Sequence, residues 1–178
     1  LVALVLRCLV AQNQALSNYY QKLGPVPGGI YSEGILGAFT NANPLYATSD
    51  VDATVSRLMF SGLFKYDDQN NLVGDLAEGW QVDDRGSTYT VKLRPNLTWQ
   101  DGKPLTAEDV AFTYHTIQNP DAQSPFNASW QNIVVTAVDN RTVTFKLANS
   151  LSSFLYNLTT VIVPAHLLRV VPVSDLRS

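Results

Sequence analysis

The acidic side chains are the residues of this sequence most able to do acid/base chemistry, and they occur in five small clusters. Each cluster falls at an expected turn or helix start, where carboxylates accept hydrogen bonds from free backbone amides and interact favourably with a helix dipole. We therefore interpret the clusters as structural and expect no catalytic residue among them. They are Asp50 with Asp52, Asp67-Asp68, Asp83-Asp84, Asp101, and Glu108-Asp109.

Candidates for metal binding and nucleophilic catalysis are few. The two histidines, His115 and His166, lie far apart and have no ligand partner at i+3 or i+4, so we expect no metal site. A single cysteine, Cys8, excludes a disulfide within this chain and any multi-cysteine metal site. The sequence contains no Gly-x-Ser-x-Gly motif, Cys–His signature or phosphate-binding loop. These observations predict a protein that needs no cofactor and is not an enzyme.

Composition and net charge argue against further classes of protein. Of the 178 residues, 46% are hydrophobic and 15% are charged, which argues against a disordered chain. The net charge is −3, and no cluster of Lys and Arg is present, so we expect no nucleic-acid partner. Trp80, Trp99 and Trp130 could stack on a ligand, but large aromatic side chains beside strands and turns more often pack in a core. We expect core packing.

Two helices are predicted by their capping residues and apolar spacing. Ser49 with Asp52 is typical of a capping box for a helix over about residues 50–61, and Thr106 with Asp109 for a helix that ends at an Asn-Pro pair. Apolar residues at helical spacing indicate which side of each helix packs against the protein. These residues are Val51, Val55, Leu58 and Met59 in the first helix and Val110, Tyr114 and Ile117 in the second.

Three β-hairpins are predicted around turn-forming segments, which cover residues 67–71, 83–87 and 139–141. Tyr89, Val91 and Leu93 alternate with polar residues, which predicts a strand with one buried face. A further strand is expected within Ile30–Phe39 and a short helix over residues 152–158. Hairpins combined with a few short helices indicate the α+β class.

The first eleven residues, LVALVLRCLVA, are apolar except Arg7. Such a run could be the tail of a membrane-spanning helix, a signal-peptide core or an ordinary amphipathic helix, and its length does not decide between them. Leu9-Val10-Ala11 is bulky at the first position of a signal-peptidase site, which favours an uncleaved anchor. Prolines and glycines over residues 25–29 then break any helix. We assign residues 1–28 to a membrane anchor or signal remnant plus linker.

The order of motifs from Gly74 to Tyr114 is more specific than any single motif. The stretch GDLAEGWQVDDRGSTYTVKLRPNLTWQDGKPLTAEDVAFTY closely resembles the signature region of solute-binding protein family 5, the extracytoplasmic peptide, dipeptide and nickel receptors of ABC importers. The resemblance covers nearly all of residues 29–168. It extends to NPL at residues 43–45, LMFSGL at residues 58–63, VDNRTVTF at residues 138–145 and PAHLL at residues 164–168.

The resemblance implies a two-lobed, periplasmic-binding-protein-like fold of the class II type, with a mixed sheet, hairpins and short helices. Such a protein closes around its ligand by a hinge motion and then docks onto a membrane permease. This chain looks like the first third of it, without the second lobe that usually holds a peptide's amino terminus. On the family pattern, residues 29–60 begin the first-lobe domain, residues 61–160 form a small extra domain, and residues 161–178 return to the first lobe.

The resemblance also implies a ligand-binding loop over residues 43–50. Thr48-Ser49 resembles the Thr-Ser pair that the dipeptide-binding branch places there, whereas the Glu of the oligopeptide branch is absent. The charges of Asp50 and Asp52 disfavour a ligand carboxylate nearby, so we expect a neutral or amine-facing role. The alternative is that Ser49 only caps the helix. The predicted ligand-binding residues are Ala47, Thr48, Ser49 and Asp50.

The resemblance thus implies an extracytoplasmic, membrane-tethered receptor at the cell surface or in the periplasm. It would deliver peptides or similar small solutes to an ABC importer, with the permease subunits and the membrane as further partners. A sensory or adhesive extracellular domain that reuses the same fold is the alternative. A hydrolase has no support, because no nucleophile and base can be paired.

Overall fold

The computed structural model describes residues 7–13, 28–30 and 32–177. It divides into two compact units, Leu1–Gly34 and Ile35–Ser178. In the first unit, residues 7–13 form a helix with exposed side chains. Among the described residues, no helix is both long and apolar enough to cross a membrane. The expected anchor or signal remnant falls mostly outside the described residues.

Six strands and five helices form the second unit, together with short 3-10 turns. The strands are β1 (Phe64–Tyr66), β2 (Leu72–Gly74), β3 (Ala77–Val82), β4 (Thr88–Leu93), β5 (Ile133–Ala137) and β6 (Thr142–Leu147). The helices are α1 (Asp50–Met59), α2 (Ala107–Gln118), α3 (Asn127–Trp130), α4 (Phe154–Asn157) and α5 (Ala165–Leu168). The α+β class and the short helix before residue 158 are therefore confirmed.

The strands form two antiparallel sheets. β1 and β2 pair as a hairpin, and the larger sheet has the order β3-β4-β6-β5. The three predicted hairpins are confirmed, with Tyr66 opposite Leu72, Val82 opposite Tyr89, and Ala137 opposite Val143. Mixed pairing does not occur among the described strands. Tight turns join β3 to β4 and β5 to β6, whereas β4 and β6 pair antiparallel across the long connection that contains α2.

One face of the larger sheet packs against α2. Tyr114 of α2 stacks on Trp130 with ring centroids 3.9 Å apart, and its ring meets Phe145 edge-on at 5.4 Å. Aromatic packing of this kind adds to the free energy gained by burial. The predicted inward residues of β4 and α2 are all buried: Tyr89, Val91, Leu93, Val110, Tyr114 and Ile117.

The expected core packing holds for two of the three tryptophans. Trp99 and Trp130 are buried, but Trp80 remains 44% exposed, so the expectation is wrong there. Trp80 belongs to β3, an edge strand that is exposed along its whole length after Ala77. Its ring is only partly covered, by Tyr89 at a centroid distance of 6.4 Å.

The helix predicted over residues 50–61 forms as α1, but its buried side is not the predicted one. Leu58 is 82% exposed and Met59 is 40% exposed, whereas Asp52 and Ser56 are buried. The reason lies in the hydrogen bonds of Asp52. Its carboxylate accepts from the Thr40 amide at 2.8 Å and from the Thr40 hydroxyl at 2.5 Å. These bonds turn the polar side of α1 inward.

Asp52 therefore anchors residues 40–41 to α1 rather than closing a capping box onto Ser49. The Asn41 amide also donates to Asp52, at 3.3 Å, while Ser49 does cap the helix by accepting from the Asp52 amide at 3.1 Å. The hydrogen bond from the Thr40 hydroxyl, followed by that from the Thr40 amide, lowers the pKa of Asp52 to about 2.

The strand predicted within Ile30–Phe39 is wrong, since residue 30 and residues 32–39 contain no strand. Ile30 and Leu36 are almost fully exposed. A strand needs a partner that takes up its main-chain hydrogen bonds, and none pairs with these residues in the described part of the chain.

The acidic residues at turns have the structural role expected of them. Asp67 accepts from the Asn71 amide at 2.7 Å, Asp83 from the Ser87 amide at 2.7 Å, and Asp101 from the Lys103 amide at 3.1 Å. Main-chain hydrogen bonds of this kind lower the pKa of all three carboxyls. The three carboxylates therefore stay ionised and stabilise their turns through these hydrogen bonds.

Asp109 joins the start of α2 to the start of α5. One carboxylate oxygen accepts from the Thr106 amide at 2.9 Å, and the other accepts from the Ala165 amide at 2.9 Å. One helical turn later, the buried Thr113 hydroxyl accepts from the Val163 amide at 3.0 Å. Two side chains of α2 thus hold the main chain of the return segment, which we define as residues 159–165.

Replacing Asp109 is expected to destabilise the protein. In Asp109→Asn, the side-chain NH2 group replaces one of the two carboxylate oxygens, so either the part-buried Thr106 amide or the buried Ala165 amide loses its acceptor. Leaving a buried donor unsatisfied costs about 1–3 kcal/mol, which urea unfolding measures. Asp84→Asn, at an exposed turn position, is the matched control with no expected change. Equal stability of the two variants would contradict the account.

The Asp52 anchor predicts a specific acid titration. The carboxyl of Asp52 should titrate near pH 2 by carbon-13 NMR, and Thr40→Ala should raise this pKa towards 3.8. Because the folded-state pKa lies below the unfolded value, the anchor stabilises the fold above about pH 4 and is lost as the pH falls towards 2. Thr54→Ala, also on α1, is the control. An ordinary Asp52 pKa in the unaltered protein would contradict the anchor.

Candidate ligand-binding site

The loop before α1 is held rigidly from several sides. Pro44–Tyr46 forms a buried 3-10 turn, and the Asn43 side chain accepts from the Leu45 amide at 3.1 Å. The Tyr46 hydroxyl donates to the Ala122 carbonyl at 2.7 Å, and the Ser124 hydroxyl donates to the Leu45 carbonyl at 2.8 Å. These bonds fix the loop to residues 122–124 and so place the residues that follow it.

The four predicted ligand-binding residues lie in sequence between this turn and α1, in different environments. Ala47 lines a cavity, and Thr48 is exposed, with no hydrogen-bond partner for its hydroxyl in the described part of the chain. Ser49 caps α1 by accepting from the Asp52 amide. Asp50 is exposed at the first position of the helix.

Two cavities lie side by side along α1, and we call them the α1 cavities. The smaller has a volume of about 210 Å³ and the larger about 410 Å³. They share Arg57, Thr159 and Val161 as lining residues. The smaller is also lined by Pro44, Ala47, Ala53, Ser56, Phe126 and Thr160, and the larger by Phe60, Ser61, Gly62, Phe64, Lys65, Tyr66 and Asp75.

The return segment forms the wall opposite α1 because main-chain bonds hold it beside β1. The Phe64 amide donates to the Leu158 carbonyl at 3.2 Å, and Gly62 forms a β-bridge with Val161. A Cβ at Gly62 would lie 2.8 Å from the Thr159 carbonyl oxygen, so this approach requires glycine. The Thr160 hydroxyl donates to the Asn157 carbonyl at 2.9 Å and keeps its lone pairs as acceptors.

The α1 cavities are lined by both apolar and polar groups. Phe126 is half-buried against the core, and the Ser56 hydroxyl is buried without a hydrogen-bond partner in the described structure. Lys65 and Asp75 pair across the larger cavity at 3.0 Å. Arg57 is exposed, and its guanidinium forms neither an ion pair nor a hydrogen bond with any described residue. Concave surfaces that offer both apolar contact and placed polar groups are able to bind small solutes.

Sequence reasoning missed most of these lining residues. The helical spacing of Ala53, Ser56 and Arg57 could have placed them on one side of α1. Phe126 and the threonines of the return segment have no local signal, since they reach the site only through tertiary packing.

Other candidate sites among the described residues do not include the predicted loop. No three His, Cys, Asp or Glu side chains in the described ranges are placed to hold a metal ion. His115 bonds to the Val135 carbonyl at 3.0 Å, and His166 bonds to Asp101 at 2.8 Å. A groove of about 620 Å³ follows the edge strand β3 and is lined by Trp80, but it contains none of the predicted ligand-binding residues.

Comparisons with known proteins show which family this chain resembles. The profile of bacterial extracellular solute-binding proteins, family 5 Middle, matches residues 71–169. The oligopeptide-binding protein AppA of Bacillus subtilis is 34% identical over 85% of this chain and 28% of its own length. The glutathione-binding protein GsiB of Pectobacterium atrosepticum is 33% identical over 67% of this chain and 24% of its own. The chain thus spans less than a third of the length of these curated relatives.

Solved structures show the same fold. The structure of AppA from Bacillus subtilis in complex with a nonapeptide superposes with a TM-score of 0.75 at 32% identity, covering 80% of this chain and 29% of AppA. NikZ from Campylobacter jejuni in complex with Ni(L-His) superposes with a TM-score of 0.71 at 30% identity, covering 80% of this chain and 28% of NikZ. The family profile, the sequence relatives and the shared fold together establish that this chain belongs to the bacterial extracellular solute-binding proteins, family 5.

Proposed function

We propose that this chain is the first-lobe part of an extracytoplasmic receptor that delivers peptides or similar small solutes to an ABC importer. The ligand is held between two lobes, and the α1 cavities with the loop over residues 43–50 form the first-lobe wall. One observation carries the proposal: Ala47 of the predicted loop lines a cavity together with α1, Phe126 and the return segment. Elements distant in sequence thus converge beside the predicted ligand-binding residues.

The names of the relatives support this ligand class. One is called an oligopeptide-binding protein and another a glutathione-binding protein. AppA was solved with a bound nonapeptide, and NikZ with a nickel–histidine complex. These ligands all contain amino acids, so a site with main-chain hydrogen-bonding groups and few charges suits them.

The rest of the receptor follows from the same proposal. Residues 29–60 begin the first-lobe domain, residues 61–160 form the small extra domain, and residues 161–178 return to the first lobe. The segment over residues 1–28 tethers the protein to the membrane on its outer side, where the closed receptor meets the permease. No step of this cycle requires catalysis.

Within the wall, Thr48 and Ser49 have separable roles. The Ser49 hydroxyl is already an acceptor for the Asp52 amide, so its contribution includes helix capping. Thr48 has no such task in the described structure, and its hydroxyl is available to a peptide main chain. A substitution at Thr48 is therefore expected to change ligand affinity alone, whereas a substitution at Ser49 also changes the stability of the protein.

The test is thermal unfolding of the two-lobed protein, without residues 1–28, against a panel of peptides. Ligand at about one hundred times its Kd stabilises a protein by about 2.7 kcal/mol, which raises Tm by several degrees. Thr48→Ala should weaken peptide binding and leave the unliganded Tm unchanged. Ser49→Ala should lower the unliganded stability by about 1 kcal/mol through the lost cap.

Ser152→Ala, at an exposed position outside both cavities, is the control for both measurements. Unchanged affinity in Thr48→Ala and Ser49→Ala by calorimetry would remove the loop from the binding site. A well-folded protein that no peptide stabilises would contradict the peptide-receptor proposal itself.

A further inference from the structure

Arg57 is the cationic side chain of the α1 cavities that has no partner among the described residues. It lines both of them, and in the described structure its guanidinium has no carboxylate or carbonyl partner. The other cation, Lys65, is neutralised by Asp75 at 3.0 Å. The cavities therefore carry one uncompensated positive charge, on an exposed side chain that a ligand can reach.

The adjacent residue on α1 supplies a second polar group that lacks a partner. Ser56 is 3% exposed, and its buried hydroxyl has no hydrogen-bond partner among the described residues. Buried polar groups in folded proteins are almost always paired, because an unpaired one costs free energy. Ser56 lines the smaller cavity but its hydroxyl is itself covered, so Arg57 is the donor that a ligand acceptor meets at the cavity surface.

The opposite end of the same helical face has the opposite charge. Asp50 lies seven residues before Arg57, so the two side chains share one face of α1 and are separated by about 10 Å along the axis. Ala53 lies between them on that face and lines the smaller cavity. The Asp50 carboxylate is exposed and has no partner among the described residues.

We propose that Arg57 binds a carboxylate of the ligand, so that a peptide lies along α1 with this carboxylate at Arg57 and its neutral or amino end towards Asp50. The proposal rests on the proposed function and specifies the ligand class of that site. Arginine suits the role because its guanidinium forms two parallel hydrogen bonds with a carboxylate. Asp50 repels a carboxylate from the other end, which fixes the direction of the ligand.

The carboxylate could be the C-terminal group of a peptide or an Asp or Glu side chain. Peptides that lack one or the other carboxylate distinguish these two possibilities. The two-lobed protein is titrated by calorimetry with a binding peptide that contains Glu, with its C-terminal amide, and with its Glu→Gln analogue. The three titrations are repeated with Arg57→Gln. Arg85→Gln is the matched control, because Arg85 is an exposed arginine of the β3–β4 turn that lines neither cavity.

For the parent peptide, Arg57→Gln should weaken binding about tenfold or more, since a hydrogen bond to a charged group is lost. For the analogue that lacks the relevant carboxylate, the same substitution should have little effect. Arg57→Lys, which keeps the charge but not the paired hydrogen bonds, should fall between these values. The carboxylate that Arg57 binds is the one missing from the analogue whose affinity does not change in Arg57→Gln.

Three results would overturn the proposal. One is equal loss of affinity for all three peptides, which indicates a structural role of Arg57, and another is no loss for any of them. In both cases the unaltered protein still binds peptides, so the proposed function stands. In the third, the well-folded unaltered protein binds none of the peptides, which rejects the proposed function together with the role of Arg57.

Discussion

The carboxylate of Asp109 is the constraint on which the rest of the structure depends. It is buried, it holds the first turn of α2, and it holds the Ala165 amide of the return segment. Because a buried carboxylate is costly unless its lone pairs are satisfied, both contacts must form together. The return segment is then fixed against α2, and its residues Thr159 and Thr160 become one wall of the α1 cavities.

A second buried carboxylate sets the other wall. Asp52 ties residues 40–41 to α1 and turns the helix so that Ser56 faces inward while Leu58 and Met59 remain exposed. The two walls are therefore positioned by hydrogen bonds that carboxylates accept, rather than by apolar packing alone. A site built in this way holds its lining residues in fixed places, which reduces the cost of ordering them when a ligand binds.

Much of this fold could be predicted from local signals. Hairpins around Asp- and Asn-rich turns, the cap of α1 and the alternating face of β4 depend on short stretches of sequence, and all of them form. The side of α1 could not be predicted, because apolar spacing indicated Leu58 and Met59 while a contact with Thr40, twelve residues before Asp52, decided the orientation. Phe126 and Thr159 line the cavities only through long-range packing, so the sequence indicated the loop of the proposed site but none of these cavity walls.

Hydrogen exchange of the two-lobed protein, with and without a binding peptide, tests the central claim that the α1 cavities and the preceding loop form the ligand wall. The account predicts slower exchange of the amides over residues 47–50 and 159–161 when peptide is present, with no change in the turn over residues 83–87. Protection confined to the sheet of β3–β6, with the amides of residues 47–50 and 159–161 unchanged, would contradict it.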